Sequence, residues 1–364
     1  VSNPLPFAVL GAGHGGQALA GYLALRGFPV RLFNRTPERL RPIQLLGGIQ
    51  VEGEVSGFAP IPVATSDIRE AIAGVQVIMV VLPATGHRDI AERLSPYLED
   101  GQIIVLNPGR TGGALEVRQV LRETSCTKDV LIAEAQTFLF ASRISGPAQV
   151  RIFRVKNSIP VAALPAYETV RVVQTLRVAL PQFIPEDSVL KTSFNNIGAV
   201  FHPTITILNA ARIESTHGEF DYYIEGVTPS VALVLEEVDK ERVKVAEALG
   251  VRAITAREWL YSAYDVSGRN LFEAIQNNAG YQGIRAPSTI FHRYITEDVP
   301  TSLVPIASLG KMLGVPTPTI DSLIHLASVL HGRDYWKEGR TAEKLGLQGL
   351  SVKEIHELVV TGGK

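Results

Sequence analysis

The chain is 364 residues long, 46% hydrophobic and 20% charged, with a formal net charge of −1. That length supports two domains with substantial cores, and the near-zero charge provides no basic field to attract nucleic acid or an anionic membrane. A single cysteine, Cys126, excludes an internal disulfide and any multi-cysteine metal site, so no metal is expected.

A cysteine-poor chain suits a reducing cytosol, and a cytoplasmic protein is expected. The first strand begins close to the first residue given, and no signal peptide is expected. The most apolar run, residues 75–84, is far shorter than the ~20 residues of a membrane helix and reads as a buried strand.

Residues 7–35 read as strand, glycine turn, helix and second strand, the length of one βαβ unit. The turn is Gly11-Ala12-Gly13-His14-Gly15-Gly16. Gly11 permits the tight bend, Gly13 lets backbone approach a pyrophosphate, and Gly16 lets the helix pack on the strand. The helix N-terminus favours an anion, so Gly11, Gly13, His14, Gly15 and Gly16 are assigned to a dinucleotide cofactor. The second strand ends in Asn34-Arg35-Thr36, with Arg39 one turn on. An NAD-selective site usually carries a carboxylate at this place. Without one, Arg35 can pair with a 2′-phosphate through its planar fork, and Asn34 or Thr36 can donate to it. NADP(H) is expected in preference to NAD(H).

A helix follows at residues 38–46, then a short antiparallel pair at 49–52 and 58–63, and a helix capped by Ser66 or Asp67. Residues 77–82 are apolar without alternation, as in a parallel strand covered on both faces. Pro83 opens the loop after it, expected to run over the nicotinamide half of the cofactor. A helix at 89–98 leads to a strand at 102–106 and the turn Asn107-Pro108-Gly109-Arg110-Thr111-Gly112-Gly113, whose glycines suggest close approach to a ligand. A helix at 114–122 and a strand at 130–135 follow. Gln136 and Arg143, beyond that strand, are assigned to substrate. Runs at 150–155 and 161–164 are expected to extend the sheet antiparallel, before a helix at 166–178 and a strand at 182–185.

From residue 189 onwards the periodicity is helical, at 195–210, 229–249, 256–264, 271–276, 306–313, 318–330 and 351–359. The fold class expected is α/β, an N-terminal Rossmann-like doubly wound sheet, plus an all-helical C-terminal domain. The boundary is set between a dinucleotide-binding domain, 1–187, and a substrate and dimerisation domain, 188–364. In a helix over 195–210, Asn195, His202 and Asn209 lie seven residues apart on nearly one face, and Pro203 should kink it. Such a polar stripe needs partners or a ligand. Pattern alone leaves both a catalytic His202 and a core histidine open.

Several further motifs accompany the glycine turn: Asn107-Pro108-Gly109 with Thr111-Gly112-Gly113-Ala114, Asn196 through His202-Pro203, and Leu208-Asn209-Ala210-Ala211-Arg212. Tyr222-Tyr223-Ile224-Glu225-Gly226 and Glu297-Asp298-Val299-Pro300 complete the set. Together they resemble the opine dehydrogenase family (octopine/nopaline dehydrogenase-like), nearest in length and spacing to its bacterial N-(1-D-carboxyethyl)-L-norvaline dehydrogenase type. The resemblance covers essentially the whole chain. It implies reductive condensation of an amino acid's amine with a 2-oxo acid, commonly pyruvate, by imine reduction, and a homodimer. It also implies His202 as the acid/base residue and Asp298 as its carboxylate partner, with Asn196 among the substrate contacts. His292 is taken as structural, and Glu214, Tyr222, Glu225 and Tyr281 are candidate wall residues, with a purely structural role for each equally open. Some relatives carry asparagine where this chain has Gly198. Lys191, one turn before Asn195, is similar to the catalytic pattern of ketopantoate reductases. That makes a 2-oxo acid reductase the alternative, with an NADP-binding sensor a third reading.

Overall fold

The structure, a computed structural model, describes residues 4–363. The chain divides into two compact units. The first runs up to Gly109 and includes Gly113–Thr192 and the segment from Lys353 on; the second is Arg110–Gly112 with Ser193–Val352.

Among the described residues the first unit carries twelve strands: β1 (Phe7–Leu10), β2 (Val30–Phe33), β3 (Gly48–Gly53), β4 (Gly57–Pro60), β5 (Val63–Thr65), β6 (Val77–Val80), β7 (Ile103–Leu106), β8 (Leu131–Ala135), β9 (Phe140–Gly146), β10 (Gln149–Val155), β11 (Ile159–Leu164) and β12 (Phe183–Pro185). Eight form the main sheet, in the order β12-β11-β8-β7-β6-β1-β2-β5. From β8 to β5 every pairing is parallel. β11 runs antiparallel to β8, with Val161 opposite Ala135. The residues of β1, β6 and β7 are all buried, which their unbroken apolar sequences require of strands covered on both faces. Strand order reverses between β1 and β6, the place where an open α/β sheet leaves a crevice for ligand.

One expectation for this unit fails, and one strand goes unforeseen. Residues 150–155 do not extend the main sheet; β10 belongs to a second sheet, β4-β3-β10-β9, parallel to β3 and antiparallel to β9. Strand β9 was not anticipated. Burial along β10 mostly alternates, so this sheet has one covered face. It packs on the helix His14–Leu25, which is buried continuously from Gly16 to Leu23. A helix rich in alanine and glycine lets strands approach closely: a Cβ at Gly21 would lie 2.5 Å from a Val51 methyl.

The unit boundary falls after Thr192, five residues beyond the expected one, and the C-terminal helix Val352–Thr361 ends in the first unit. Local bonds account for both. The Thr192 hydroxyl donates to Glu134 at 2.6 Å, and Arg118 Nε donates to the Gly362 carbonyl at 2.7 Å.

The second unit is helical, as expected. Its longest helix, Pro229–Ala248, starts with Thr228 as cap and proline in its first turn, and Thr255 and Glu258 form a capping box for Ala256–Tyr264. The continuous helix over 195–210 is not formed. The chain makes Val189–Phe194, breaks, makes Gly198–Leu208, and restarts as Ala210–Thr216. Among the described residues no helix is long and apolar enough to cross a membrane.

Candidate active site

In the first unit β1 delivers the chain into the glycine turn. Gly11 has φ +119°, and a Cβ there would strike the Val81 carbonyl oxygen; a Cβ at Gly16 would strike the carbonyl oxygen of Gly11. Backbone conformation thus demands glycine at the first position and close packing demands it at the second. Gly15 faces the Phe138 ring, 2.9 Å from where a Cβ would stand. Gly13 differs, because a Cβ there would meet nothing within 4 Å. Gly13 is also the N-cap of His14–Leu25, with no side chain capping the helix. Open space in front of uncapped N–H groups fits the pyrophosphate of a dinucleotide. His14 ties the turn to β9: its Nδ1 accepts the Ile144 amide at 2.8 Å.

Asn34 is occupied within the protein. Its Oδ1 accepts the Ala12 N–H at 3.0 Å and its Nδ2 donates to the Thr36 carbonyl at 3.0 Å, bracing the turn against the end of β2. Beyond it lies a cavity of about 480 Å³, lined among others by Arg35, Thr36, Arg39, Pro83, Asp89 and Arg93. Arg35 is 71% exposed and stands 3.7 Å from Asp89. Arg93, missed in the sequence, pairs with Asp89 at 3.0 Å. Its signal was the i,i+4 spacing from Asp89 on the helix after Pro83. Pairs this exposed are weak, of order 0–1 kcal/mol, so these guanidiniums are available to an anion.

The second unit brings together residues scattered along the chain. His202, on Gly198–Leu208, directs Nδ1 to Asp298 Oδ2 at 2.7 Å, and the carboxylate is fully buried while the imidazole is 20% exposed. The carboxylate puts the proton on Nδ1 and leaves Nε2 to exchange protons. Tyr294 stacks on the imidazole at 4.2 Å and 17°. Tyr222 stacks on Tyr294 at 5.1 Å and donates its hydroxyl to the His202 carbonyl at 2.9 Å. Burial pushes the Tyr222 phenol well above its ordinary value, so it remains a donor. His292 caps the turn that carries Tyr294.

Asp298 is shared. Its Oδ1 lies 3.0 Å from Arg110 Nη1, and Arg110 Nε reaches Glu297 at 3.5 Å. Glu297 pairs in turn with Arg293 at 2.7 Å. Asn196 Oδ1 accepts from Arg110 Nη1 at 3.4 Å, so Asn196 stands in this cluster. Burial pushes the Asp298 carboxyl up, but the charges of Arg110, His202 and Arg293 outweigh it, and the net shift is below the ordinary aspartate value. Sequence reasoning missed Arg110, Arg293, Tyr294 and Glu297 as parts of one cluster. Available signals were an arginine set among glycines and the i,i+4 spacing of Arg293 and Glu297.

The expected polar stripe dissolves, because Asn195 lies outside the helix that carries His202. Asn195 Oδ1 accepts the Ile254 amide at 3.0 Å, and Asn209 Nδ2 donates to the Ile205 and Gly226 carbonyls, both at 2.9 Å. Of the wall residues, Tyr281 stacks on Tyr223 at 4.1 Å, Glu225 pairs with Arg212 at 2.7 Å, and Glu214 is exposed. Gln136 and Arg143 belong to the first unit. The Gln136 amide donates to Pro160, and Arg143 is exposed on β9 opposite Arg151. Lys191 is bound to Asp187 at 2.7 Å and Glu186 at 2.8 Å. These bonds hold its ammonium above the usual lysine value, which suits an ion pair better than a proton donor.

A doubly wound sheet with a dinucleotide turn, followed by a helical unit holding a histidine–carboxylate pair, defines the class as an NAD(P)-dependent oxidoreductase. A family model for the alpha-helical domain of NAD/NADP octopine/nopaline dehydrogenases matches residues 185–331, and one for the N-terminus of NAD-dependent glycerol-3-phosphate dehydrogenase matches residues 6–133. An opine dehydrogenase of Arthrobacter sp. (strain 1C) is 43% identical, over 97% of this chain and 98% of its own. An octopine dehydrogenase solved with NADH and L-arginine superposes with a TM-score of 0.81 at 22% identity, over 99% of this chain and 98% of its own. Yersinopine dehydrogenase solved with NADP+ gives 0.73 at 15% identity, over 99% of each chain. The chain belongs to the opine dehydrogenase family.

Proposed function

We propose that this opine dehydrogenase condenses the amine of an amino acid with a 2-oxo acid, pyruvate first, to an N-(carboxyalkyl) amino acid, and also runs the reverse oxidation. It uses NADP(H) in preference to NAD(H). The observation that carries the reading is the 2.7 Å contact between His202 and the buried, ionised Asp298. The octopine dehydrogenase neighbour has been solved with NADH and pyruvate as well as with L-arginine, which supports the two substrate classes.

The backbone at Gly11, Gly13, His14, Gly15 and Gly16 holds the pyrophosphate. Arg35, Thr36, Arg39 and Arg93 hold the 2′-phosphate, and Pro83 borders the nicotinamide half. Asn34 takes a bracing role instead of a phosphate contact. When bound, the nicotinamide supplies a hydride to the imine carbon. His202 does the proton work through Nε2. In its neutral form it takes a proton from the incoming ammonium, freeing the amine to attack the oxo carbon. As imidazolium it protonates the carbinolamine hydroxyl, which leaves as water. Asp298 stays ionised throughout, fixing the tautomer and stabilising the imidazolium. Asn196, Gln136 and Arg143 remain the assigned substrate contacts, and the enzyme acts as a homodimer, which sedimentation at working concentration checks.

The test follows NADPH oxidation with pyruvate, with and without a panel of apolar and basic amino acids. Oxidation should require the amine and yield a secondary amine dicarboxylate. Oxidation without amine would replace this reading with a simple 2-oxo acid reductase. A lower KM for NADH than for NADPH would overturn the cofactor assignment.

A further inference from the structure

We propose that Arg110 is a positioning residue that sets how tightly His202 holds its proton, by standing its charge beside Oδ1 of the carboxylate whose Oδ2 the imidazole uses. This rests on the acid/base role given to His202 above. Three observations carry it. The first is geometric: Arg110 Nη1 stands 3.0 Å from Asp298 Oδ1, opposite the 2.7 Å contact to His202.

The second is that the fold strains itself to keep this side chain in place. Arg110 has φ +59°, the left-handed region that favours glycine, although glycines stand at 109 and 112. Its loop is pinned by Thr111 N–H to the Thr301 carbonyl at 3.1 Å. Gly112 N–H binds Ser193 Oγ at 2.9 Å, and Arg340 Nη1 binds the Thr111 carbonyl at 3.2 Å. Room for the guanidinium depends on Gly198, where a Cβ would lie 2.8 Å from Arg110 Nη1 and 3.2 Å from His202 Cε1.

The third is the charge balance. Arg110 and Arg293 face Asp298 and Glu297, so the cluster is neutral with a neutral imidazole and +1 with an imidazolium. The other groups packed on the pair, Tyr294, Tyr222, His292 and Asn196, add no fixed charge. Removing the Arg110 cation leaves an uncompensated buried carboxylate beside the imidazole, which then keeps its proton to higher pH. A charge a few ångströms away in a medium of effective dielectric ~20 shifts such a titration by roughly one to two pH units.

The test is an NMR titration of histidine-labelled protein, with the His202 ring assigned by its loss in His202→Asn. Arg110→Met should move the titration up by about one to two units, while Arg110→Lys should keep it near wild type. Glu297→Gln, which removes a negative charge, should move it down, and it carries the test if Arg110→Met does not fold. An unmoved titration in either charge-removing variant overturns the proposal. The pH–rate profile separates this inference from the reading beneath it. If the titration moves and the activity limb does not follow, His202 is not the acid/base group; if neither moves, Arg110 has no such role.

Discussion

The two units handle charge in opposite ways. The proposed nucleotide site of the first offers backbone N–H groups at an uncapped helix end and arginines that stand in solvent, Arg35 being 71% exposed. The cluster of the second removes Arg110, Glu297 and Asp298 almost wholly from water and holds them by pairing. An exposed guanidinium costs little to keep waiting and contributes modestly to binding. A buried charge is strongly coupled to its neighbours and fails badly when one is removed. Binding of the cofactor is therefore expected to tolerate substitution, whereas the proton chemistry is not.

That contrast can be broken at its strong end first. His202→Ala should lower kcat by roughly 10²–10⁴, the scale of lost acid/base catalysis, with NADP(H) affinity nearly unchanged in a fluorescence titration. A comparable loss of cofactor affinity would mean that the two functions are not separable.

Asp298→Asn should destabilise the protein by about 3–5 kcal/mol, because Arg110 loses the nearer of its two buried carboxylates; urea melts give the value. Asp298 has its folded-state value below the ordinary one. Its contribution is therefore full above an unfolded value of ~3.9 and fades as pH falls through the lower folded value. The wild-type advantage over Asp298→Asn should shrink only below about pH 4. An advantage independent of pH would remove the ionised pair from the account.

At the exposed end, Arg35→Ala should raise KM for NADPH about tenfold, the worth of one charged hydrogen bond, and leave KM for NADH alone. An equal rise for both would move Arg35 from phosphate recognition to general cofactor binding. The smallest effect is expected for Lys191→Ala. It breaks partly exposed ion pairs worth about 0–1 kcal/mol, so kcat should change less than about twofold. A large fall would revive the reductase alternative.

Much of the fold was legible because its signals are local. Unbroken apolar runs mark β1, β6 and β7, and Ser66-Asp67 marks a helix start, which Asp67 caps. The completion of the second sheet was not, because β10 pairs with β3, about a hundred residues earlier in the chain, and β9 then joins β10. The stripe of Asn195, His202 and Asn209 misled for a related reason. Seven-residue spacing places side chains on one face only if the helix is continuous, and the chain breaks before Gly198.

The sequence alone determined the glycine turn, the parallel sheet, the change to helices after residue 189 and, through its likeness to a family, which histidine and aspartate are the catalytic candidates. Each of these depends on neighbours along the chain. Tertiary structure alone decided that Asn34 braces the turn, that Arg93 joins Arg35, and that Arg110, Asp298 and Glu297 share one buried network with His202. Coulomb coupling and desolvation depend on distance through space, and residues 110, 202 and 298 acquire that proximity only when the chain is folded.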